Sequence, residues 1–284
     1  MHPLCCSKTR DMTCFPYDFS HPAKRYTLPN QYKEISGISP LEDNNSIAFV
    51  QDEAIQIHLL DLRSGTITEL AKHDDGDAED IAIVGTTAYV LKAGKQPAID
   101  RVMEFLGEHA KIQRYGLELK KQHDPEGLCH DARRHRLLIA CKGSANKNDT
   151  MRAIYAFDLQ AMQMTSTPVF TIDSRSFLKN ARDAFNPSGL AIHPHSGNLY
   201  IIGSKGHKMI VCYGLNGQFK EALKLDKDQF IQPEGLAFLP SGDLLISSEG
   251  KKGKQAELLM FQSLRSLETP SAMNQDCCEE ANQH

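Results

Sequence analysis

No stretch of this sequence approaches the roughly 18 consecutive apolar residues of a membrane-crossing helix. The longest strictly apolar runs, such as Leu137-Leu138-Ile139-Ala140-Cys141, are strand-sized, so no transmembrane segment is expected. A basic stripe is missing too: 32 Lys and Arg stand against 36 Asp and Glu, net −4, and they are scattered. Nucleic-acid binding relies on clustered cations that release phosphate counterions, so that class is set aside. Also absent are a G-x-S-x-G elbow, a P-loop, an H-E-x-x-H pair and a dinucleotide-binding glycine fingerprint. Nucleophilic catalysis is left without a candidate. None of the eight Cys belongs to a CxxC pair, which removes the usual zinc and redox spacing. Leu4-Cys5-Cys6 follows neither a charged stretch nor an apolar h-region, so no signal peptide is read there; a start further upstream would make it the remnant of a lipoprotein signal.

What is present is a core's worth of apolar residues, 40% of 284, enough for one large domain or two ordinary ones. Cys129, Cys141 and Cys212 sit in apolar runs and are expected as buried, unbridged small hydrophobes. Five related segments decide the architecture: Ile35-Ser36-Gly37-Ile38-Ser39, Ala78-Glu79-Asp80-Ile81-Ala82, Pro125-Glu126-Gly127-Leu128-Cys129, Pro187-Ser188-Gly189-Leu190-Ala191 and Pro233-Glu234-Gly235-Leu236-Ala237. Their second residues are 43, 47, 62 and 46 apart, the period of a propeller blade. Hydrophobic strands follow each motif after turn residues such as Asn44-Asn45, Ser196-Gly197 and Ser241-Gly242.

The expected fold is all-β: a five-bladed β-propeller of four-stranded antiparallel blades, with six blades as the alternative. Only four outer strands lie between motifs, and Lys24 to Leu28 supplies the fifth. An N-terminal strand completing the C-terminal blade closes the ring and removes exposed edges. The propeller is placed at 24–262, with an extension at 1–23 and a disordered tail at 263–284. Gly in four motifs, and a small residue two positions on (Ser39, Ala82, Cys129, Ala191, Ala237), suit the innermost strand, where backbones crowd. The second unit reads as the weakest. Asp80 replaces Gly, and Pro97 suggests a poor or bulged third strand. The 62-residue spacing reflects insertions around 144–150 and 174–186, the latter read as a short helix.

At Glu34-Ile35-Ser36-Gly37-Ile38, Gln51-Asp52-Glu53, Asp77 to Ile81, Asp124 to Leu128, Pro187 to Leu190, Gln232 to Gly235 and Ser248-Glu249 the sequence resembles the SdiA-regulated family of YjiK/CarP-like bacterial β-propellers. The resemblance covers about residues 24 to 262. It implies a cell-envelope location, with a cytoplasmic one as alternative since no signal is present, a link to calcium homeostasis in some members, and kinship with phytase- and lactonase-type propellers. It implies no established reaction. Asp80 departs from the family's usual Gly.

Antiparallel pairing puts the start of each inner strand beside the end of the second strand, so two residue columns meet at one channel mouth. One column is Ser36, Glu79, Glu126, Ser188 and Glu234; the other is Asp52, Ala93, Lys142, Ser204 and Glu249. Carboxylates aimed at one axis repel, raising at least one pKa unless a cation or donor compensates. Glu79, Glu126 and Glu234 are the candidate metal ligands, with Ca²⁺ favoured and Mg²⁺ as the alternative because the set is all oxygen. Ser36, Asp52, Lys92, Lys142, Ser188 and Glu249 are the candidate ligand-binding residues. In the competing reading, the acids seal the mouth through backbone N–H groups, and Lys142 and Lys92 neutralise them without metal. His193-Pro194-His195 reads as turn chemistry and Lys251-Lys252-Gly253-Lys254 as a solvated loop. Three functions follow: a propeller binding a divalent cation or small ligand, a metal-dependent phosphoester or lactone hydrolase, and a protein-interaction scaffold. A hydrolase calls for a phosphate-gripping basic cluster, for which the sequence offers only Lys142 and Lys92.

Overall fold

The computed structural model describes residues 13–264, apart from 53, 108, 145–149, 181, 182 and 252. Glu53, Cys5, Cys6, Cys277, Cys278, most of the 144–150 insertion and the tail beyond 264 therefore lie outside the described residues. Strand β1 (Lys24–Thr27) precedes four blades in sequence order. Blade one is β2 (Ile35–Pro40), β3 (Ser46–Gln51), β4 (Ala54–Asp61) and β5 (Ile67–Asp75); blade two is β6 (Ala78–Val84), β7 (Thr87–Lys92), β8 (Ala98–Met103) and β9 (Lys111–Gly116). Blade three is β10 (Pro125–Asp131), β11 (Arg136–Cys141) and β12 (Met151–Asp158). Its outer position is shared by β13 (Gln163–Met164) and β14 (Phe170–Asp173), which pair with opposite ends of β12. Blade four is β15 (Pro187–Ile192), β16 (Leu199–Gly203), β17 (Met209–Tyr213) and β18 (Phe219–Lys224).

The last blade combines the two ends of the chain. To β19 (Pro233–Phe238), β20 (Leu244–Ser248) and β21 (Glu257–Phe261) it adds β1, antiparallel to β21 with Lys24 opposite Met260 and Thr27 opposite Glu257. Leu28 extends the pairing through its N–H to the Ala256 carbonyl at 2.9 Å. The fold is the expected five-bladed propeller, closed by its N-terminal strand.

Apolar side chains gather in five clusters, one between each pair of adjacent blades. Cys129 packs into the seam of blades three and four, Cys141 into that of blades two and three, and Cys212 into that of blades four and five. All three are buried free thiols. Small residues line the far end of the channel because neighbouring inner strands nearly touch. At Gly189 a Cβ would collide with the Glu234 carbonyl. The gap left there is about 160 Å³, walled by Ser39, Ala82, Cys129, Ala191, Ala237 and their neighbours.

Three expectations are corrected. Pro97 does not weaken its strand: it lies one residue ahead of β8, which pairs with β7 without a register shift, and its carbonyl accepts the Leu117 N–H. Among the described residues of 174–186, the short helix shrinks to one 3₁₀ turn at Ser174–Ser176, started by the Asp173 carboxylate on the Arg175 N–H. Asp80 is a built-in part rather than a weak point. Its carboxyl accepts the Ile81 N–H at 2.8 Å and the Leu128 N–H of the next blade at 2.6 Å. The missing side chain of Gly37 makes room for it.

Candidate functional site

The motif's second residue is special because the sheet register slips there. Ala78 faces Lys92 but Asp80 faces Leu91; Pro125 faces Cys141 but Gly127 faces Ala140; Pro187 faces Gly203 but Gly189 faces Ile202. Glu79, Glu126 and Ser188 are thus the extra residues of β-bulges. Blades one and five slip similarly across Ser36-Gly37 and Glu234-Gly235. A bulge bends its strand and re-aims a side chain, here once per blade. The second column is held by a repeated bond: the N–H groups of Ala93, Lys142 and Glu249 donate to the carbonyls of Asp77, Asp124 and Gln232 at 3.0, 2.8 and 2.9 Å.

Lys142 supplies the positive charge acting on these acids. Its Nζ donates to both oxygens of Glu126 at 2.7 Å, while the buried Arg152 donates Nε to the Lys142 carbonyl at 2.6 Å and Nη2 to Asn186 Oδ1 at 3.0 Å. Burial opposes the ammonium, but the carboxylates of Glu126, Glu234 and Glu79 prevail and push Lys142 up to about 12. One ammonium does not balance the group. Burial raises Glu79, helped by the charges of Glu126 and Asp52. It also raises Glu126 and Glu234, against relief from Lys142. Glu249 is pushed up to about 8 by burial and by Glu234, Asp52 and Glu34.

The expected site residues separate accordingly. Glu79, Glu126, Glu234, Glu249, Asp52 and Lys142 act on one another at a common mouth. Ser188 donates to the Pro233 carbonyl at 2.9 Å, and Ser204 donates to Glu234 at 3.2 Å. Ser36 belongs to a seam: it is buried, and its carbonyl accepts the Ser247 hydroxyl at 2.7 Å. Lys92 ends over Gly76, while the Lys142 ammonium acts on Glu79, Glu126, Glu234 and Glu249. Among the described residues no three His, Cys, Asp or Glu side chains converge closely enough to hold a metal ion. As placed, the Lys142 ammonium offsets part of the charge of these carboxylates.

Sequence reading missed what lies beside the acids. A cavity of about 790 Å³ opens between the ends of blades four and five, lined by Lys142, Ser204, Gln232 and Glu234 together with Lys205, Lys208, Lys227, Lys251 and Lys254. Lys251 donates to Gln232 Oε1 at 3.0 Å and Lys254 to the Asp228 carbonyl at 3.3 Å, both uncharged oxygens. Six lysines thus face two carboxylates, those of Asp228 and Glu234. Lysines beyond Lys142 and Lys92 therefore stand near the acids, and Lys251 and Lys254, exposed as a solvated loop requires, also border the cavity. Gln232 ties the two halves together by donating to the Glu249 carboxylate and accepting from Lys251. His193 does serve a turn, accepting the N–H groups of His195 and Ser196.

A family model described as SdiA-regulated matches residues 16–252. Among curated proteins none matches the chain. The fold is similar to that of the PQQ-bound aldose sugar dehydrogenase of Streptomyces coelicolor, at 12% identity and a TM-score of 0.55 over 85% of this chain and 97% of that one. It is also similar to XC5397 of Xanthomonas campestris, described as a gluconolactonase, at 15% identity and a TM-score of 0.53 over 83% and 78%. At these identities the likeness is one of fold. Among the described residues no helix is long and apolar enough to cross a membrane.

Proposed function

The chain belongs to the SdiA-regulated family, and from that premise and the geometry of its mouth we propose that it is a ligand-binding propeller. Its ligand is a small anionic molecule seated in the lysine-lined cavity against the glutamates of the channel mouth. The observation that carries this reading is the placement of six lysines around about 790 Å³ with Glu234 in the same wall. Small-molecule sites are concave and have a few convergent charged groups with shifted pKa values, and this is where both occur together. Calorimetric titration with inorganic phosphate, pyrophosphate and citrate tests it, with glucose as a neutral control. Saturable binding of at least one anion is expected, weakened about tenfold or more in the Lys205→Ala, Lys227→Ala double variant. No heat with any of the anions would end this reading.

A second reading adds a divalent cation, calcium first and magnesium as the alternative, drawn to Glu79, Glu126 and Glu234. It is supported by the surplus of buried carboxylates over the single Lys142 ammonium, and it requires those side chains to converge further. Such a cation would connect the protein to calcium-related cell-envelope physiology. A hydrolase would use the same ground, with Glu234, whose carboxyl burial raises above its ordinary value, standing in the wall of the anion cavity. A panel of phosphoesters and lactones with and without Ca²⁺ separates hydrolase from binder.

A further inference from the structure

Cys212 lies on β17 with Tyr200 of β16 and Glu221 of β18 as its direct cross-strand partners. Residues directly opposite in an antiparallel sheet share a face, so these three side chains form a row across blade four. Cys14, ahead of the propeller, is fastened to both ends of that row. Its N–H donates to Glu221 Oε2 at 2.6 Å, and its carbonyl accepts the Tyr200 hydroxyl. The segment on either side is pinned as well. Thr13 Oγ1 donates to Glu221 at 3.0 Å, and the buried Phe15 packs edge-on to Tyr200 with ring centroids 5.6 Å apart. Cys14 thus packs against the cluster that contains Cys212.

We propose that Cys14 and Cys212 form an oxidation site: a low-molecular-weight disulfide converts the two thiols into a disulfide that latches the N-terminal segment onto blade four. Cys14 is the more exposed of the two. Its thiolate attacks one sulfur of the small disulfide, forming a mixed disulfide and releasing one small thiol. Cys212 then loses its proton to solvent and attacks the Cys14 sulfur, forming the protein disulfide and expelling the second small thiol. Two protein thiols are oxidised and one small disulfide is reduced to two thiols. Burial, together with the neighbouring Cys14 sulfur, raises the Cys212 thiol pKa, so closure of the mixed disulfide is the slow step and speeds up with pH. The bond would join blade four to the segment that runs on into β1, the strand that closes the ring.

The full chain is treated with oxidised glutathione, its remaining thiols are alkylated, and it is cleaved with trypsin. Cys14 then falls in peptide 11–24 and Cys212 in peptide 209–220. The expected product is these two peptides joined, about 2 Da lighter than their sum and separated again by dithiothreitol. It forms equally in a chain whose Cys5, Cys6, Cys277 and Cys278 are Ser, and not in Cys14→Ser. The oxidised protein should melt about 5 °C or more higher, because the link closes a long loop. Recovery of peptide 209–220 only in its alkylated form, with Cys14 carrying glutathione or joined elsewhere, would overturn the proposal.

Discussion

Replacing Lys142 by Met would keep much of the side-chain volume but strip Glu126 and Glu234 of their nearby ammonium. Breaking a buried ion pair from one side typically costs about 3–5 kcal/mol, since the remaining charge is stranded. That cost is expected in full only where the glutamates are ionised. Burial already raises both carboxyls, so in urea titrations Lys142→Met should lose much of its stability at pH 8.5 and less at pH 6. Adding Glu126→Gln to Lys142→Met should restore part of the loss at the higher pH. A uniform loss at all pH values would show that Lys142 acts through packing alone. Asp80 offers a second residue-scale test. Both of its oxygens accept backbone N–H groups, whereas Asn must turn an NH₂ toward one of those donors. Asp80→Asn should cost about 1–3 kcal/mol of unfolding free energy, although Asp80 occupies the place where four blades carry Gly.

At the scale of elements, closure rests on β1. Tyr26 and Leu28 are buried in the seam of the last blade and blade one, and the Tyr26 hydroxyl donates to the Leu62 carbonyl at 2.8 Å. A chain lacking residues 1–28 exposes the β21 edge, a template for pairing with another chain. It should elute as oligomers in size-exclusion chromatography, while the full-length chain gives one sharp species. This closure was legible by counting, since five inner motifs with four internal outer strands require a strand from elsewhere. The pairing that sets the second column was legible as well, because it is local to one hairpin: Ala93, Lys142 and Glu249 each bond back to the residue just ahead of the motif. The bulges were not, because a register slip is a property of two strands and leaves no mark in either alone. Nor were Lys205, Lys208, Lys227, Lys251 and Lys254: they come from loops of two blades, and each loop alone resembles any solvated turn. Pro97 and the 174–186 segment misled because turn chemistry one residue ahead of a strand, or one capped turn, has the composition of a larger irregularity.

For the whole molecule, the surplus of buried acid at the mouth should appear in stability against pH. A carboxyl whose folded pKa is raised binds more protons folded than unfolded, so its contribution is present below the unfolded value and disappears as pH rises through the folded one. For Glu249 this window runs from its ordinary 4.5 to about 8. The buried His58 and the half-buried His130 act oppositely: their pKa values are lowered from 6.5, chiefly by desolvation, so their contribution is lost below pH 6.5 and is complete above it. Between pH 7 and 8.5 the histidine part is flat, and the melting temperature should fall as the glutamates ionise, with a shallower slope in Glu249→Gln. Calcium, if it binds the acidic mouth, competes with those protons. It should therefore raise the melting temperature more at pH 8.5 than at pH 6.5, by an amount corresponding to about 2.7 kcal/mol at a hundredfold excess over its dissociation constant. Glu126→Gln and Glu234→Gln should lose that shift, since each removes one of the charges a cation would bind. If wild type ignores calcium, magnesium and manganese at both pH values yet still loses stability from pH 7 to 8.5, Lys142 and protons alone balance the acids. That outcome retires the cation reading and leaves the anion proposed for the lysine cavity to be decided by its own titration.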